Sequence, residues 1–137
     1  MLIIEDINLK TATVEEIKNL VNLCAKHTAI AIRNQTLSVE REAEIVKMFP
    51  DPYVLFKPDT PEFNRSALDK EGYIGLVTEN SIAGHKEEML WHNESPHARP
   101  GSSVAWLYAE SGVKGSVTIW NNTIKAYKDL DNKIKDD

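Results

Sequence analysis

Apolar residues in the first third of the chain recur in two different periods, and the change of period marks out the elements. Val14, Ile17, Leu20, Val21 and Cys24 return at three- and four-residue intervals, the spacing of one helix face. Thr13-Val14-Glu15-Glu16 is a capping box, so the pattern predicts a helix that opens at Thr13 and runs to about Lys26. From Thr28 to Arg33 the chain is β-branched and apolar on both faces, as in a strand covered on each side, and Asn34-Gln35 turns it. Ser38 then caps a second helix whose buried stripe is Val39, Ala43, Val46 and Phe49.

Beyond residue 49 the pattern is less regular. Pro50, Pro52, Pro58 and Pro61 break up the next stretch, Tyr73 to Val77 reads as a strand, and Thr78 to Met89 reads as a polar loop. Ser103 to Ala109 alternates Val104, Trp106 and Tyr108 with Ala105 and Leu107, so both faces are apolar and an inner strand is expected. Gly112 and Gly115 bracket a hairpin turn before a strand over 116–120. Ile124, Tyr127, Leu130 and Ile134 then mark a last helix with lysines on its outer face. The aromatic residues Trp91, Trp106, Trp120 and Tyr127 read as core.

Composition narrows the class. The 137 residues suit one domain, and an apolar share of 42% is that of an ordinary globular protein. No transmembrane run or signal-peptide core is present, so a soluble, cytoplasmic protein is expected. A net charge of −5 without a basic cluster argues against nucleic acid or an anionic membrane as partner. The single cysteine, Cys24, excludes an internal disulfide and reads as a small core residue on a helix face rather than a reactive thiol.

The candidate chemistry lies in Trp91-His92-Asn93-Glu94. In extended chain the two-residue period sends His92 and Glu94 to one face, where an imidazole and a carboxylate can converge on a cation. One nitrogen and one anionic oxygen suit a divalent first-row metal, and a second histidine would complete a facial triad with open coordination positions. By itself such a pair is usually a surface histidine beside a solvated acid, and only its context favours a metal.

Several stretches carry a resemblance in a fixed order. Ala25-Lys26-His27-Thr28-Ala29-Ile30-Ala31-Ile32-Arg33-Asn34-Gln35 is similar to a helix end, a first core strand and an "R-D/N-Q" turn, and Leu37-Ser38 through Phe49 to the helix that follows. Trp91-His92-Asn93-Glu94 matches "W-H-x-D/E", and Gly115, Thr118, Trp120, Asn122, Ala126, Tyr127 and Leu130 match "G-x-x-T-x-W-x-N-x-x-x-A-Y-x-x-L". The family these segments resemble is that of the iron(II)- and 2-oxoglutarate-dependent oxygenases, in the taurine dioxygenase and clavaminate synthase-like branch. Nearly the whole chain is covered, with residues 50–88 the least alike.

The resemblance implies an α+β fold: residues 1–137 as a single domain, a partial double-stranded β-helix (jelly roll) flanked by helices. It implies Fe(II) and 2-oxoglutarate as cofactors, with His92 and Glu94 as metal ligands and the Thr118 hydroxyl donating to a 2-oxoglutarate carboxylate. No catalytic side chain beyond the metal ligands is implied. His97, beside the ligand pair, is a candidate for substrate contact or a third ligand. His27 reads as a structural partner of backbone groups, and Asn122 and Ser116 as caps or turn residues.

In the family a distal histidine and a 2-oxoglutarate-binding arginine come from a second half, whereas here no histidine or arginine follows Thr118. The chain therefore resembles an N-terminal half. The expected partners are a small-molecule substrate and either a second copy or a second chain that supplies the missing half. Three function classes stay open: an oxygenase that hydroxylates a small, amino-acid-like molecule; an inactive fragment or interaction subunit; and a non-redox metal-binding module. Glu88 stands near the position where taurine-specific relatives carry asparagine, which disfavours taurine.

Overall fold

The computed structural model describes residues 1–77, 91–92, 104–110 and 117–135. Its ordered centre is a mixed α+β unit built on a two-stranded parallel sheet. Strand β1 (Leu2–Ile4) pairs with β2 (Ile30–Ile32), with Leu2 opposite Ile30 and Ile4 opposite Ile32. Parallel neighbours need a crossover, and helix α1 (Val14–His27) provides it and packs against β2.

Local chemistry fixes the ends of α1. The Thr13 hydroxyl accepts from the Glu16 amide at 3.3 Å, while the Glu16 carboxylate accepts from the Thr13 amide at 2.7 Å. Both halves of the capping box are thus formed, and orphan amides of the first turn are satisfied. The helix buries Ile17 and Leu20 against Leu9, Ala12 and Ile45. Leu9, Ile17 and Ile45 are fully enclosed, and each such side chain stabilises the fold by roughly 1.5–3 kcal/mol.

Helix α2 (Val39–Lys47) opens on Ser38, whose hydroxyl accepts from the Arg41 amide at 3.3 Å. Its inward face is Glu42, Ala43, Ile45 and Val46. Val39 and Phe49, expected on the buried stripe, are only half-buried. Arg41 fastens α2 to the loop before α1, donating from Nε to the Leu9 carbonyl at 3.0 Å and from a terminal nitrogen to the Ala12 carbonyl at 2.7 Å.

The proline-rich stretch holds a helix that the sequence pattern does not announce. In α3 (Pro61–Ser66) Pro61 occupies the first turn, where its missing N–H costs nothing, and Thr60 caps the Phe63 amide at 3.2 Å. The strand expected over Tyr73 to Val77 is reduced to one antiparallel bridge between Ala67 and Gly75. Gly72, at φ +81°, accepts the Phe56 amide at 3.0 Å, and a Cβ there would collide with the Phe56 carbonyl oxygen.

The jelly-roll strands expected over 103–109 and 116–120 are not formed among the described residues. Residues 104–110 run without a ladder, with Val104, Trp106 and Tyr108 half-buried and Ala105 and Leu107 exposed. Residues 117–120 are exposed and unpaired by any strand. A strand is defined by its neighbours, and the two-stranded sheet offers these segments no free edge that they use.

The expected last helix is divided into α4 (Thr123–Asp129) and α5 (Asn132–Lys135) by Leu130, which takes an extended conformation. Ile124, Tyr127, Leu130 and Ile134 face solvent. Trp91, Trp120 and Tyr127 are likewise exposed rather than core, because among the described residues no element covers them. The loop over 78–89 and the 112–115 hairpin both fall wholly outside the described residues. No helix among the described residues is long and apolar enough to cross a membrane.

Candidate metal and co-substrate site

The residues singled out by the sequence fall in two places. His92 follows Trp91, which is 70% exposed, and the imidazole is itself exposed with a partner in the structure. Glu94 and His97, the other ligand candidates of this stretch, lie outside the described residues. Among the described residues no three His, Cys, Asp or Glu side chains stand together to hold a metal ion. The described part of the donor set is therefore one imidazole, and its chemistry fits a single ligand of a divalent metal rather than a complete site.

Thr118 lies elsewhere, on an open crevice of about 600 Å³ whose lining does not include His92. The opposite wall is the C-terminal end of α1, with Lys26, His27 and Thr28. The two walls are tied together where the Asn122 amide donates to the Thr28 hydroxyl at 2.6 Å. Asn122 also caps α4, accepting from the Lys125 amide at 2.8 Å, so its expected capping role is met. Ser116 falls outside the described residues.

Thr28 ends α1 at φ +72°, a conformation that a β-branched residue rarely adopts. The strain sits at the crevice mouth beside the Asn122 bond. His27 closes α1 and lines the crevice, and its imidazole makes no hydrogen bond to the backbone among the described residues, contrary to the structural role expected of it. Hydroxyl, imidazole and ammonium groups facing one opening form a wall able to meet a carboxylate, and Trp120 adds an apolar side.

One polar contact was legible only in part. The Trp106 indole donates to Oε2 of Glu42 at 3.0 Å, across 64 positions of sequence. Glu42 follows Val39 by three positions and precedes Val46 by four, so helical spacing already sets an acid on the apolar face. Tyr108 makes the neighbouring contact, its hydroxyl accepting from the Leu37 amide at 3.2 Å and donating to the Gln35 carbonyl at 3.4 Å.

No curated protein and no solved structure matches the chain. Its sequence does match the family described as "Taurine catabolism dioxygenase TauD, TfdA family", over residues 4–137. The matched range takes in β2, helices α1 to α5, His92 and Thr118, and begins at the last residue of β1. The chain thus belongs to the TauD/TfdA dioxygenase family.

Proposed function

We propose that the chain supplies one half of an iron(II)- and 2-oxoglutarate-dependent oxygenase that hydroxylates a small, amino-acid-like molecule. The observation that carries this reading is the family match, which runs through both the His92 segment and the Thr118 segment. His92 and Glu94 would hold iron(II), with His97 or a histidine from a second chain as the third ligand. When bound, the metal and 2-oxoglutarate would supply, with dioxygen as the oxidant, hydroxylation of an unactivated carbon coupled to oxidative decarboxylation of 2-oxoglutarate to succinate and carbon dioxide.

The chain's own part is placement. The Thr118 hydroxyl would donate to a 2-oxoglutarate carboxylate, and Lys26 and His27 across the crevice would add positive potential. The segments 104–110 and 117–120 would become strands of a double-stranded β-helix once a second half or second copy pairs with them. Glutamate rather than aspartate at position 94 resembles the clavaminate synthase-like members and favours an amino-acid-like substrate.

A second reading, an inactive interaction subunit, is favoured by one observation: Ile124, Tyr127, Leu130 and Ile134 leave an apolar run exposed between residues 124 and 134. Equilibrium dialysis with 2-oxoglutarate separates the two. The oxygenase reading expects retention that needs iron(II) and falls on Thr118→Ala and on His92→Ala. Absence of metal-dependent retention, or retention indifferent to both substitutions, favours the interaction subunit.

A further inference from the structure

Glu42 is 6% exposed, on the inward face of α2, beside the cluster of Ala43, Val46 and Ile74. Its described hydrogen bond is the one from Trp106, whose ring packs on Phe49 with centroids 6.4 Å apart. A carboxylate in such a place has lost most of its hydration, and one indole N–H returns only part of it.

The charges on the surrounding elements do not compensate. On α2 itself, Arg41 is committed to the Leu9 and Ala12 carbonyls and to Glu44, and Lys47 to Glu71 and the face of Tyr73. On the turn behind α2, the Asp69 carboxylate accepts from the Ile74 and Glu71 amides, and Lys70 acts on Glu40. On the facing segment, Tyr108 is engaged with Gln35 and Leu37, and Glu110 brings a like charge. Burial pushes the Glu42 carboxyl above the ordinary value, the Trp106 bond opposes this, and Glu110 adds to it.

We propose that Glu42 is a pH-sensitive latch for residues 104–110: the segment docks on α2 through Trp106 most firmly when the Glu42 carboxyl is protonated, and loosens as it ionises. A protonated carboxyl still accepts the indole N–H through its carbonyl oxygen, so protonation removes the buried charge without removing the bond. If Trp106 leaves, Glu42 regains water and titrates as an ordinary glutamate, so docking and proton uptake are linked. Docking is strongest below the ordinary glutamate value, weakens as pH rises to the higher value of the docked carboxyl, and is constant above it. The latch is independent of the oxygenase reading.

The test follows Trp106 alone. The sequence holds three tryptophans, so Trp91→Phe with Trp120→Phe leaves one indole, whose quenching by acrylamide reports its exposure to water. The expected result is quenching that rises with pH through a midpoint above 4.5, disappears in Glu42→Gln, and shifts to lower pH in Glu110→Gln. A flat profile in the parent, or the same profile in Glu42→Gln, overturns the latch. Amide exchange in the unsubstituted chain provides a second reading that needs no fluorescence. Protection of the Leu37 amide, which donates to the Tyr108 hydroxyl of the docked segment, relative to Ile17 and Leu20 should fall over the same pH range, and a constant ratio would count against the proposal.

Discussion

The side-chain amide of Gln35 is bonded to the loop that carries Leu9: Oε1 accepts from the Leu9 amide at 2.9 Å, and Nε2 donates to the Ile7 carbonyl at 2.9 Å. It also donates to the Arg33 carbonyl, so the amide serves as a short piece of sheet edge beyond β2. Leu9 is fully enclosed, and Gln35 therefore holds the core's entry loop. Gln35→Ala should leave part-buried backbone groups without partners and lower stability by about 1–3 kcal/mol in urea unfolding, with an unchanged m-value. Gln35→Glu should be no better, because a carboxylate has no donor for the two carbonyls.

The capping box gives a pH-dependent prediction. The Thr13 backbone amide, and then its hydroxyl, hold the Glu16 carboxyl below its ordinary value. Its contribution is present above the unfolded-state value and is lost as pH falls through the folded-state one. Glu16→Gln should keep the cap and flatten the acid limb of a Tm-against-pH curve. Thr13→Ala should cost about 1 kcal/mol at neutral pH by removing the N-cap side chain.

Helices α1 and α2 were legible because their signals are local: a cap and a 3.6-residue stripe are complete within a dozen positions. Strand β1 was not, because Leu2-Ile3-Ile4 is too short for a period and exists only through Ile30–Ile32. Prolines concealed α3, since Pro61 breaks a helix everywhere except in its first turn. Over 104–108 two apolar faces suggest an inner strand, yet only Val104, Trp106 and Tyr108 are half-buried while Ala105 and Leu107 are exposed, because an apolar pattern cannot supply the neighbours that cover a second face. Ligand candidates came from a triplet and a resemblance, and the structure places His92 and Thr118 without showing them on one wall.

Position 106 shows how the structure alters an expectation. From the sequence, lysine at an inner-strand tryptophan buries an unpaired charge, and the chain should aggregate. The Glu42 carboxylate at 3.0 Å from the indole nitrogen makes that charge a paired one. Trp106→Lys should therefore be tolerated better than Trp106→Glu, which sets two carboxylates together. Solubility and thermal midpoints of the two variants decide the order.

Ile124, Tyr127, Leu130 and Ile134 place an apolar run on the surface of α4, α5 and the turn between them. On the half-enzyme reading this run and the 117–120 segment are covered by a second copy or a complementary chain. Tyr127→Asp should then lower the sedimentation coefficient of the assembly while leaving the unfolding of the α1–α2 core unchanged. A monomer before and after the substitution would contradict the reading.

If His92 and Glu94 are two ligands of an iron(II) site, anaerobic titration of the chain with iron(II) should reveal it. Two protein ligands leave most coordination positions to water, so weak binding is predicted, abolished by His92→Ala and by Glu94→Ala and retained by His27→Ala. Equal loss in all three variants, or no loss in any, would contradict the account.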